Sequence, residues 1–241
     1  MNSFDHSGSK PGLWQDNAAV AAVEFAMVFP VMLMLLFGSA EYTRMVTASQ
    51  RVSIATNAMV EILAQQPQNT TIDDTQLGEY FDAMTPIMSP FSITSTNPTM
   101  TLSSITFWPV APGSTTYTPL TDWSESKSGG TTRPCDVTLT IIKNDAQPAP
   151  NSVPVGMVPT TAVLSSTALV ADVSFSYPSP FNIDLGFYKS PPTITITRSI
   201  FNNPRNVGYV PLPMTGSGSS QSVDTTQFSG TVCDSSYNTH Y

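Results

Sequence analysis

The chain has 241 residues, enough for one sizeable core or for a medium domain with an anchor. Charged residues make up 11% of it, against about a quarter in an average soluble domain, and Ser, Thr, Pro and Asn are abundant. The formal net charge of -8 removes the attraction to phosphates on which nonspecific nucleic-acid binding rests, so no nucleic-acid partner is expected.

Residues 1–19 are polar, with Pro11-Gly12 as a breaker and Lys10 as the only basic side chain, and read as a leader. Residues 20–40 form an apolar run with one charge, Glu24, long enough as a helix to cross a bilayer core and too long for an ordinary signal-peptide core. The run is apolar on every face, which argues against a buried helix of a soluble core. Asp5 and Asp16 oppose Lys10 before the span while Arg44 and Arg51 follow it, so charge gives no orientation. Composition places the later chain outside the cytoplasm.

Helical periodicity continues through Tyr42, Met45, Val46, Val52, Ala55, Met59, Ile62 and Leu63, so one helix is expected to run from the membrane to near Gln65, ahead of Pro67. A short second helix is expected after Thr71, with Thr71 as cap, Asp74 at the third position and Pro86 as its end. Residues 41–90 are thus an extracytoplasmic helical segment.

From about Ser92 the period becomes two. Leu169, Ala171, Val173, Phe175 and Tyr177 alternate with Val170, Asp172, Ser174 and Ser176 in the clearest half-buried strand. Shorter alternations occupy Met100 to Phe107, Val137 to Ile141, and Ile194 with Ile196. The fold class is α+β: a long membrane helix continuing outside, a short second helix, and an antiparallel sheet domain over 91–241. Residues 111–132 and 146–159 read as Pro/Gly/Ser/Thr-rich surface loops, and 216–230 as a flexible tail.

Cys135 and Cys233 are either two buried thiols or a disulfide. In an oxidising compartment the bridge would close a loop of about 100 residues, worth about 4 to 5 kcal/mol in the chain-entropy model. With histidines only at positions 6 and 240, neither a metal site nor a cofactor is expected.

Glu24 needs an account, because a carboxylate in a membrane helix is costly and marks function. If the chain is cut between Ala19 and Val20, the new ammonium lies one turn away. In a bundle the carboxylate instead meets a neighbouring subunit and sets register; near the segment's end it also has the option of snorkelling to headgroups. Pro30 frees a carbonyl, either as a kink for side-by-side packing or as a tolerated irregularity.

Ala21-Ala22-Val23-Glu24-Phe25-Ala26, then Pro30, an apolar run and Glu41-Tyr42, resemble the opening of TadE-like pseudopilins, minor pilins of the tight-adherence secretion system. Looser matches follow at Trp123-Ser124, Val170 to Pro178 and Pro204-Arg205. The resemblance implies a leader cut by a prepilin peptidase, with Glu24 fifth in the mature chain, although Ala19 stands where the family has glycine and the leader is not basic. It also implies related pseudopilins, the major pilin, an inner-membrane assembly platform and membrane lipid as partners. The location implied is the bacterial inner membrane, single-pass, with the C-terminal domain in the periplasm, the subunit either staying in the membrane or entering the pilus.

Catalysis is not expected: no motif places a base beside the many hydroxyls, and Asp73-Asp74 read as helix-start charges. The leading reading is a minor pilin. A secreted binding module cut after Gly38-Ser39-Ala40 and a permanently anchored periplasmic receptor are the alternatives.

Overall fold

The computed structural model describes residues 17–67, 70–135, 137–143, 150–161, 166–179, 193–205, 212–215 and 222–233. Most of the expected leader, the beginning of the loop expected at 146–159 and the beginning of the expected tail lie outside these residues. Two compact units divide the chain, one of Met1–Val46 with Pro180–Ser190, the other of Thr47–Ser179 with Pro191–Tyr241.

Helix α1 runs Asn17–Ala64 without interruption, Pro30 included. Alanines around its start and the Leu and Met of its middle, which carry no branch at Cβ, favour helix. It closes with tighter i to i−3 bonds from the Gln65 and Gln66 amides to the carbonyls of Ile62 and Leu63, ahead of Pro67. Helix α2 spans Asp74–Asp82, and its cap is Asp73 rather than the expected Thr71: the Asp73 carboxylate accepts from the Gln76 amide at 2.8 Å. Pro86 does not end α2. It sits in the first turn of a separate helix, α3, Met84–Met88, where a missing amide proton has no intrahelical partner to lose.

The strands are β1 Thr99–Pro109, β2 Tyr117–Lys127, β3 Thr140–Ile142, β4 Ser152–Pro154, β5 Ser166–Pro178, β6 Thr193–Asn202, β7 Met214–Thr215, β8 Ser222–Val223 and β9 Thr231–Val232. A five-stranded sheet is ordered β6-β5-β1-β2-β9, with every pairing antiparallel. The fold class is therefore α+β, as the change of period indicates.

Three expected loops or strands differ. Strand β2 occupies the stretch read as loop 111–132. Its alternation is hidden by a bulge: Ser104 pairs with Trp123 but Ile105 with Thr121, leaving Asp122 over, so the side-chain period slips by one residue. β3 and β4 pair parallel in a separate two-stranded sheet, and of the alternating trio Val137, Leu139 and Ile141 only Leu139 is buried. β4 itself lies inside the expected loop 146–159. Within the expected tail, β8 pairs with β7, and Phe228 is fully buried.

In the second unit the sheet presents two different faces. Met100, Leu102, Leu169, Ala171, Val173, Phe175 and Tyr177 are buried on one of them, and Phe91 stacks edge-on to Phe175 and Tyr177 with centroids 6.2 and 5.9 Å away. The buried stripe of α1 is Ala48, Val52, Ala55, Thr56, Met59, Val60 and Leu63, whereas Tyr42 and Ile62, expected on that stripe, are exposed. β6 and the residues just after it tie this helix down through polar groups: Arg198 donates to the Ser53 and Ser49 hydroxyls at 2.9 and 2.6 Å, Asn202 donates to Glu61 at 2.7 Å, and Arg205 pairs with Glu61. The opposite face holds a second apolar cluster at one end, built from Ile105, Phe107, Tyr117, Ala168 and Val170 with Leu139, Val153 and Met157 over them.

The C-terminal segment is held by several independent bonds. Asp224 caps a turn through Thr226 and Gln227, which delivers Phe228 edge-on to Trp123 at 5.9 Å. Asp74 accepts from the Ser229 amide at 3.0 Å, the Cys233 amide donates to the Asp122 carbonyl at 2.9 Å, and Cys135 and Cys233 form a disulfide.

Candidate functional site

The candidate surface is the first part of α1. From Val20 to Phe37 every large apolar side chain is exposed, among them Phe25, Met27, Leu35 and Leu36, each at 60% or more of its full area. This is the one helix among the described residues long and apolar enough to cross a membrane, and none of its apolar window is buried. Such a surface is unstable in water and satisfied in lipid or against other apolar helices. Membrane anchoring follows from that chemistry.

Polar groups along the helix are quenched locally. Ser39 donates to the Leu36 carbonyl at 2.9 Å and Thr43 to that of Ser39 at 2.8 Å, so neither hydroxyl needs water. Pro30 supplies no amide proton, which leaves the Ala26 carbonyl without its usual i+4 donor. One turn earlier, Phe25 and Phe29 stack with centroids 5.4 Å apart. Glu24 is exposed on this surface and has no ion-pair or hydrogen-bond partner among the described residues.

The Ala19–Val20 bond lies within α1, which begins at Asn17, three residues inside the expected leader. Glu24, Phe25 and Pro30 fall on consecutive turns of the same helix. Cys135 and Cys233 belong to the β-rich unit and are not part of this surface. Glu41 is a residue that the reading of Glu24 passed over: both its carboxylate oxygens are shielded and lack a hydrogen-bond partner among the described residues. Its position just past the apolar run is the sequence signal for it.

Ionisable groups with shifted titration stand elsewhere, in the β-rich unit. Burial, and after it the Asp74 carboxylate, pushes the Glu125 carboxyl up. Burial, then Glu79, raises the Tyr80 phenol, to which Gln66 donates a hydrogen bond. Trp123, fully buried against Phe228, is a packing residue, and Arg205 serves the helix end through its ion pair with Glu61 and through its backbone amide, which donates a hydrogen bond to the Ala64 carbonyl at 2.9 Å.

No curated protein and no solved structure matches the chain. The looser resemblances at Trp123-Ser124, Val170 to Pro178 and Pro204-Arg205 lie beyond the family match; Glu24, Pro30 and Glu41-Tyr42 lie inside it. Residues 19–59 match the family described as TadE-like protein, so over the apolar helix and its first turns beyond the span the chain is similar to TadE-like proteins.

Proposed function

We propose that the chain is a minor pilin, or pseudopilin, of a tight-adherence pilus, anchored in the bacterial inner membrane by α1 with its β-rich domain in the periplasm. The observation that carries this reading is a continuous helix whose early turns expose every large apolar side chain, with Glu24 among them, and whose later turns are built into a folded domain. A helix of that kind has two satisfied states, in lipid and in a bundle of similar helices, and passage between them is what filament assembly requires. The match to the TadE-like family over residues 19–59 supports the same reading.

In this role a prepilin peptidase cuts between Ala19 and Val20, and the ammonium so formed lies within one turn of Glu24. Glu24, with Phe25 beside it, sets register against related pseudopilins and the major pilin, and Pro30 lends the packed helix a free carbonyl and a point of bending. The assembly platform of the inner membrane is the further partner. No catalytic step is assigned to the chain itself.

The test is the N-terminal sequence and intact mass of the protein recovered from the membranes of its host. A start at Val20 is expected. A start at Glu41 would instead mark a released binding module, and an intact Met1 a fixed anchor.

A further inference from the structure

A hydroxyl-lined cleft lies on the sheet face opposite to the one that carries Arg198 and Asn202. Its floor is two consecutive cross-strand rows contributed in register by β1, β5 and β6: Thr101, Asp172 and Ser199 in one, Thr99, Ser174 and Thr197 in the next. Residues two apart on a strand share a face, so all six direct a hydroxyl or a carboxylate to the same side. With Gly130, Thr131, Pro150, Val173 and Arg198 completing the lining, the cavity has a volume of about 160 Å³. Gly130 is fitted there closely: a Cβ at that position would run into the Met100 carbonyl and the Thr101 hydroxyl.

The floor is rigid and electrically neutral. Arg133, only 1% exposed, donates to Asp172 at 2.7 Å and to the carbonyls of Ser152 and Pro150 at 2.7 and 3.2 Å. Ser199 donates to the other carboxylate oxygen of Asp172. The Asp172 side chain keeps 25% of its area open, so a fixed acceptor faces the cleft with its charge already compensated. Arg198 brings no free cation, since its guanidinium is spent on Ser49, Ser53 and the Thr197 carbonyl.

A compensated carboxylate among hydroxyls selects neither an anion nor a metal ion; it fits a ligand that both donates and accepts through neutral hydroxyls. In the adjoining row, two residues beyond Ser199 on the same face of β6, Phe201 is 39% exposed. An exposed ring beside fixed polar groups suits a ligand with one apolar C–H face and a rim of hydroxyls. We propose that this cleft binds a neutral glycan, one sugar ring seated over the Thr99, Ser174 and Thr197 row with a neighbouring ring against Phe201. The rows include no residue of α1, so failure of this proposal leaves the pilin reading intact, and failure of the pilin reading leaves this one intact.

The full chain in nanodiscs, titrated by calorimetry with neutral hexaoses of glucose, mannose and galactose and with the anionic hexamer of galacturonic acid, tests it. At least one neutral hexaose should bind saturably, more tightly than the anionic one, and Thr197→Val and Phe201→Ala should each weaken that binding tenfold or more while the thermal midpoint stays near that of the parent. Ser174→Ala serves in place of either variant that fails to fold. Absence of saturable binding by all three neutral hexaoses, preference for the anionic one, or binding indifferent to the substitutions overturns the proposal.

Discussion

Glu24 and Glu125 are two carboxylates with opposite problems. Glu24 lies on a surface destined for lipid, where an unpaired charge costs on the order of 3 kcal/mol at mid-depth and less toward the interface. Its place in an otherwise apolar run fits a partner that arrives from another subunit or from the cut N-terminus. Glu24→Gln should leave the protein in the membrane fraction and reduce piliation, or crosslinking to partner pseudopilins, at least tenfold; unchanged piliation would remove this account. Glu125 is unfavourably placed within the domain, since burial first and Asp74 second raise its pKa in the fold. A carboxyl with a raised folded-state pKa favours folding below its unfolded value, and that contribution is lost as pH rises through the folded value. Glu125→Gln should therefore raise the thermal midpoint at pH 7 and flatten its decline from about pH 4.5 upward. A midpoint at pH 7 at or below that of the parent would show that the Glu125 charge is compensated.

The C-terminal segment shows how an element without regular structure is held. Phe228 fills the space beside Trp123, the Asp74 carboxylate and the Asp122 carbonyl accept from the Ser229 and Cys233 amides, and the disulfide closes a loop with a sequence separation of 98. Phe228→Ala should cost about 3 to 4 kcal/mol by cavity formation, as core aromatic truncations do, and Cys135→Ser with Cys233→Ser about 4 kcal/mol through the unfolded chain. Urea melts of single and combined variants check both figures; because the two sites anchor one segment, the combined loss should fall short of the sum. This segment also marks the limit of what the sequence reveals. The period of two at Leu169 to Tyr177 and the apolar stripe from Val52 to Leu63 were legible because one face of each is buried throughout. Strand β2 was not, since the bulge at Asp122 reverses the alternation midway and Pro119, Thr121 and Ser124 stand at buried positions where an apolar residue would have marked the strand. The cap at Asp73 was hidden by two acceptable candidates within three residues, and the cleft because Arg133 and Asp172 meet only through long-range register. The candidate surface was readable in outline, because an apolar run of a bilayer's length is visible without tertiary information.

Apolar burial changes abruptly along α1. Its large apolar side chains are exposed from Val20 to Phe37, and its fully buried positions begin at Ala48. The compact unit that holds the sheet likewise begins at Thr47. If the domain folds without the span, the span's apolar area stays available for lipid or for other helices. A chain beginning at Glu41 should therefore be monomeric in buffer and keep its sheet, with a thermal midpoint within about 4 °C of the full chain in detergent, the shift expected from roughly 1 kcal/mol in a domain of this size. Light scattering after gel filtration and a circular-dichroism melt measure both quantities. A truncated chain that aggregates or melts far lower would mean that the span contributes to the domain's stability. Withdrawal of such a span from lipid would then unfold the domain, contrary to the transfer on which the pilin proposal depends.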